Sequence, residues 1–166
     1  MGWLPAANIK TISAKTAASG VNVTLESGAL PLGNKIKMIK ICLAGATCTG
    51  SSAHYLTVET RLKVTTFDMG LPHEGVLIHD FRGNRGPIGG PCFFNDASGW
   101  AVPIDRTPGD FDSATCNSGG RSYPNFGLHN AQYGVGQTYS NSTLGITVKV
   151  VNKVGSSFTV NVKRTK

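Results

Sequence analysis

The sequence predicts an all-β chain folded as an antiparallel β-sandwich of about eight or nine strands, carrying one large irregular loop. Three observations carry that expectation. Leu56, Val58, Thr60 and Leu62 alternate with Tyr55, Thr57, Glu59 and Arg61, the period of a strand with one face buried and one exposed. Gly supplies 21 of the 166 residues while charged residues make up only 15%, a balance that suits frequent turns and argues against a helical bundle or a disordered polar chain. Nothing reads as a long amphipathic helix, and no apolar run approaches the ~20 residues of a membrane span.

At this length the chain is most simply one domain, residues 1–166, large enough to bury a core. Strand patterns fall near 8–12, 21–26, 35–42, 55–63, 75–81, 100–104, 137–139, 145–151 and 157–163. Val76-Leu77-Ile78 is a short unbroken apolar run, as expected of a more fully buried strand. Asp68-Met69-Gly70 and Leu71-Pro72 supply turn chemistry before it, so the 55–63 strand can fold back onto the 75–81 strand. Asn152-Lys153-Val154-Gly155 plays the same part between the last two strands. Residues 83–136 differ: Gly, Pro, Asn, Ser and aromatics dominate, the composition of a long surface loop held by cross-links or ions.

Residues 55–80 also carry a family resemblance. Tyr55-Leu56-Thr57-Val58-Glu59-Thr60-Arg61 and Leu71-Pro72-His73-Glu74-Gly75-Val76-Leu77-Ile78-His79-Asp80 resemble the "YLVEYR…LPGEGVLIH.D" segment that follows the catalytic domain in immune-inhibitor-A-like and gametolysin-like zinc metallopeptidases. Met1-Gly2-Trp3-Leu4 is similar to their "LGWL" after the metal-binding helix. Val135-Gly136-Gln137-Thr138-Tyr139 and Gly145-Ile146-Thr147-Val148 are similar to their terminal "vGqtf…GItV" hairpin. The resemblance covers most of the chain in order. It implies a C-terminal, non-catalytic β domain whose partner is an upstream catalytic domain, with Trp3 and Leu4 as candidates for an exposed docking patch.

The family's zinc site needs two His one helical turn apart with a Glu between them as general base. His73-Glu74 begins that pattern, but Leu77 stands where the second His belongs. His79 follows six residues after His73, and on a strand rising ~3.3 Å per residue the two stand roughly 20 Å apart. No zinc site is expected in this chain.

Cys42, Cys48, Cys92 and Cys116 form an even set with one close pair. The expected bridges are Cys42–Cys48 and Cys92–Cys116, with reduced thiols or a metal site as alternatives. Disulfides point to an oxidising compartment, whereas MGWLPAANIK has no basic leader and apolar core. The expectation is a secreted fragment whose signal lay upstream.

Asp105, Asp110 and Asp112, near Asn95 and Asp96, offer hard oxygen ligands for calcium, although solvated turn residues would look the same. The net charge of +7 is unevenly placed, because eight of the nine acidic residues lie between Glu59 and Asp112. Lys35, Lys37, Lys40 and Lys163-Arg164-Thr165-Lys166 could form a basic face. No nucleic-acid module accompanies them, so a solvated surface is the favoured reading and nucleic acid is not an expected partner.

Other chemistry is thin. There is no G-x-S-x-G elbow. Ser52, His79 and Asp80 are the candidates for a triad, despite the strand geometry that sends His79 and Asp80 to opposite faces. Glu59 and Arg61 share a face and read as cross-strand ion-pair partners. Trp3, Trp100, Phe93, Phe94, Tyr123, Phe126, Tyr133 and Tyr139 could line a carbohydrate- or peptide-binding groove, but more often such residues are core. Asn22-Val23-Thr24 and Asn141-Ser142-Thr143 are glycosylation sequons. Two readings emerge. One is an accessory domain of a secreted zinc metallopeptidase, packing on the protease domain or binding a protein or polysaccharide. The other is a free-standing small hydrolase or a carbohydrate- or peptide-binding module that works through residues 83–136.

Overall fold

A computed structural model describes residues 4–64, 68, 69, 71, 73–84, 100–104, 106, 116–118, 121–123 and 131–166. Twelve strands are present among them: β1 (Ile9–Ile12), β2 (Val21–Glu26), β3 (Met38–Cys42), β4 (His54–Arg61), β5 (Gly75–Arg82), β6 (Trp100–Pro103), β7 (Cys116–Ser118), β8 (Arg121–Tyr123), β9 (Gln132–Tyr133), β10 (Thr138–Asn141), β11 (Ile146–Val154) and β12 (Ser157–Arg164). All nine expected strands form. The three short ones missed, β7 to β9, lie in the 83–136 stretch, where no period is long enough to read.

The strands build two sheets that face each other as a sandwich. The larger has the order β1-β3-β4-β5-β6, with β9 also on β5; the smaller runs β10-β11-β12-β2. β7 and β8 pair separately. Every pair is antiparallel except β1 with β3. That exception has a topological cause: the chain crosses to the other sheet for β2 before returning, so β1 and β3 leave in the same direction.

Between the sheets, Ile39, Ile41, Leu56, Val58, Val76 and Ile78 meet Ile146, Val148, Val150, Phe158, Val160 and Val162, all nearly inaccessible. Burying each such side chain is worth about 1.5–3 kcal/mol. A bulge after Val150 shifts the register, so Asn152 opposes Thr159. Gly155 closes the β11–β12 hairpin at φ +55, backbone that an L side chain resists.

Alternation in β4 led to an expectation of one exposed face. The structure corrects this, because both faces of β4 are buried: Thr57 is 1% and Glu59 7% exposed on the outer side. Leu77 of β5 and Gln132 of β9 flank them at 3% and 0%. Some of the polar residues on this buried outer face pair with one another, while the Gln132 amide finds no hydrogen-bond partner among the described residues. Arg61 donates from Nε and Nη2 to Glu59 Oε1 at 3.0 and 2.8 Å and its Nη1 lies 3.5 Å from Asp68. The Glu59–Arg61 pair runs along one strand rather than across two. The smaller sheet keeps its outer face of Asn22, Thr24, Thr159, Asn161 and Lys149 largely open.

The proposed basic face does not assemble. Lys37 is buried, and its Nζ donates to Glu26 Oε2 at 2.6 Å, Ser27 O at 3.0 Å and Leu30 O at 3.3 Å. Asn8 beside it is 3% exposed and donates from Nδ2 to Gly33 O and Lys35 O. Together they plug the end of the sandwich where β2 finishes and β3 begins. Lys40 lies on the other side of the sheet, 4.2 Å over the Tyr55 ring. Arg164 is 7% exposed and donates to Ser13 O, so it is no part of a frayed tail.

Candidate functional site

Register decides which polar residues meet. In the β4–β5 pair, His54 opposes Arg82 and Leu56 opposes Asp80. These four therefore project from the inner face of the larger sheet, at the end remote from the Lys37 plug. There the hydrophobic filling stops, and a cleft of about 480 Å³ opens between the sheets. Its one wall is His54, Asp80 and Arg82; the other is Tyr139 and Asn141 of β10 with Thr143 from the following turn. Leu56, Ile104 and Leu144 supply the apolar surface.

The polar groups are tied to each other. His54 Nε2 lies 2.7 Å from Asp80 Oδ1, and Arg82 Nε donates to Asp80 Oδ2 at 3.0 Å. The side chains stay partly exposed, at 26% for His54, 21% for Asp80 and 51% for Arg82. Across the cleft, Asn141 Oδ1 accepts the Leu144 N–H at 2.9 Å. Burial pushes the Tyr139 phenol up from its ordinary value, and its hydrogen bond with Asn141 draws it partly back. The Tyr139 ring stands edge-on to Tyr133, with centroids 6.4 Å apart. All these side chains sit on strands or a tight turn, so their positions are fixed by the framework.

The Cys42–Cys48 bridge expected from the sequence is present, with Cα atoms 5.3 Å apart. It closes the β3–β4 connection at the cleft end of the sandwich. That connection packs closely on the end of β5: a Cβ on Gly83 would meet Ser51 O at 2.4 Å. Tyr55 stacks on Phe81 nearby, with centroids 4.3 Å apart.

The Ser52, His79, Asp80 triad does not form. Asp80 pairs with His54, whereas His79 projects from the opposite face of β5, its Nδ1 3.5 Å from Thr57 Oγ1. Burial lowers the His79 pKa, with Glu59 acting against that and Arg61 with it. Ser52 Oγ lies 3.2 Å from Thr47 Oγ1. Glu74, which with His73 begins the expected zinc pattern, accepts the Lys63 N–H and forms an ion pair with Lys153 of β11. Those contacts hold its carboxyl below the usual range. No group of three or more His, Cys, Asp or Glu is placed to hold a metal among the described residues. Asp105, Asp110 and Asp112, the Cys92–Cys116 bridge, Trp3 and the side chains of Trp100 and Tyr123 lie outside those residues. Leu4 is 8% exposed, so it is packed within the chain and presents no docking patch of its own.

The arrangement belongs to a recognisable class: a β-sandwich whose open end carries a small polar cleft with an apolar floor. No helix among the described residues is long and apolar enough to cross a membrane. The disulfide fits an oxidising environment. Comparison with known proteins goes no further, since no family model, curated protein or solved structure matches this chain.

Proposed function

We propose that this chain is a non-catalytic accessory domain of a secreted zinc metallopeptidase, whose work is binding rather than bond cleavage. One observation carries the reading most. The segments that resemble the immune-inhibitor-A-like and gametolysin-like enzymes form β4 and β5, the central pair of the larger sheet, and spend their side chains on packing and internal ion pairs. Leu77, in the place of a second zinc His, is buried at 3%, and Glu74 is engaged by Lys63 and Lys153. The disulfide suits the secreted location. A calcium ion held by Asp105, Asp110 and Asp112 belongs to this proposal on ligand chemistry alone.

The upstream DNA tests it. An in-frame stretch encoding H-E-x-x-H ahead of Met1 is the expected result, together with no peptidase activity from the purified chain supplied with zinc. An in-frame stop followed by a ribosome-binding site ahead of Met1, or zinc-dependent cleavage of casein by this chain alone, would overturn it. The cleft specifically favours a second reading, in which the chain is a binding module in its own right. That reading relocates the ligand from residues 83–136 to the gap between the sheets.

A further inference from the structure

We infer that the cleft between His54, Asp80 and Tyr139 is a binding site for a neutral saccharide. The inference rests on reading this chain as a binding domain; it does not require the metallopeptidase assignment. Size is the first support, since about 480 Å³ falls within the range of roughly 300–1,000 Å³ typical of small-molecule sites. That space accommodates one or two sugar rings but not a folded polypeptide.

Charge narrows the chemistry. The Asp80 carboxylate already holds Arg82 at 3.0 Å and lies 2.7 Å from His54, so no unbalanced charge awaits an ionic ligand. An anion entering the cleft would approach a carboxylate, and a cation would approach a guanidinium. Either ion would meet repulsion from the like charge that offsets the attraction of the opposite one. A neutral ligand meets neither obstacle.

The donor set then selects hydroxyls. Carboxylate, guanidinium and primary amide are planar groups with paired hydrogen-bonding positions at fixed angles. Adjacent sugar hydroxyls, each both donor and acceptor, match such groups two at a time. Asn141 is pinned through its Oδ1, which accepts the Leu144 N–H. The Arg82 side chain is half exposed, with Nε on Asp80, and lines the cleft. Leu56, Ile104 and the fixed Tyr139 ring supply an apolar patch for the C–H face of a pyranose. Since these groups are held before any ligand arrives, little ordering entropy is lost on binding.

Titration of the isotope-labelled chain with methyl glycosides of glucose, galactose, mannose and N-acetylglucosamine, and with their β-linked dimers, tests this by amide chemical shift. The expected result is saturable movement of the His54, Asp80, Tyr139 and Asn141 signals with Kd near ~1 mM or tighter. Asp80→Asn and Arg82→Ala should each weaken binding by roughly ten-fold or more, as loss of a hydrogen bond to a charged group does, while the remaining spectrum stays folded. Arg82→Ala alters an exposed side chain and guards against a folding defect in the other variant. Silence of these signals toward every glycoside at about 10 mM, ten times that Kd, overturns the inference. So does equal binding by both variants, or movement with acetate and a short acidic peptide instead. None of those outcomes bears on whether H-E-x-x-H lies upstream, so the two proposals fail separately.

Discussion

The two ends of this sandwich use the same kind of polar pair to opposite effect. At one end Lys37 is buried against Glu26 and two carbonyls, with Asn8 bonded alongside. Each donor is consumed inside the protein, and the core is sealed from water. At the other end His54, Asp80 and Arg82 also bond together, but their side chains stay 21–51% exposed and face a cleft. A buried pair commits its partners to the fold, because losing one leaves the other desolvated without compensation. A half-exposed pair contributes little to stability and keeps its geometry available to something else. Ion pairs of similar length thus serve structure at one end and recognition at the other.

The comparison breaks most visibly at Lys37. Lys37→Ala should cost about 3 kcal/mol, at the lower end for a broken buried pair because Glu26 keeps some solvent contact. Urea unfolding measures it. Lys37→Met combined with Glu26→Gln should recover most of that loss, since an apolar replacement leaves no orphaned charge. A loss below about 1 kcal/mol for Lys37→Ala would put the plug in the same energetic class as the cleft pair, and the distinction between the ends would fall.

Next in size is the disulfide beside the open end. Cys42 and Cys48 stand six positions apart in the chain, and closing so short a loop restricts the unfolded chain by about 2 kcal/mol. The Cys42→Ser, Cys48→Ser variant should melt at a lower temperature and become insensitive to reductant. Hydrogen exchange should quicken in residues 43–53, which pack against Gly83, before it changes near Lys37. Uniform acceleration at both ends would instead make the bridge a global staple.

The cleft pair should cost least. Asp80→Asn is expected to lower stability by about 1 kcal/mol or less, as partly exposed ion pairs do. Thermal unfolding of this variant beside Lys37→Ala measures the contrast directly.

Most of the framework was legible in the sequence because period-two alternation survives wherever a strand has one wet face. β12 shows it along its length and β11 as far as the bulge after Val150, and all nine expected strands are present. β4 misled in a specific way. Thr57, Glu59 and Arg61 read as solvent-facing, yet Thr57 and Glu59 are buried and Arg61 is half-buried, pairing with Glu59 and Asp68. Polarity marks a face as wet only when its partners are water. The site was less legible. Asp80 was singled out, but its pairing with His54 follows from the β4–β5 register. No two-residue turn fixes that register: the connection between the strands is long, and local turn chemistry leaves the offset open. Strand geometry did foretell that His79 and Asp80 part company.

His79 offers the finest test, because it sits on the buried outer face of the same strand whose inner face lines the cleft. Burial holds its pKa below the ordinary 6.5, outweighing attraction by Glu59. The unfolded chain therefore binds a proton more readily than the native one. The stability linked to His79 is fully present above pH 6.5 and is lost as pH falls below that value toward the lower native pKa. Glu74, also depressed, acts in the same direction but in the more acid window below its ordinary 4.5. His79→Gln should flatten the fall in melting temperature just below pH 6.5 and leave the acid limb in place. An unchanged slope in that variant would show that burial of the His79 imidazole is not what weakens the domain just below pH 6.5.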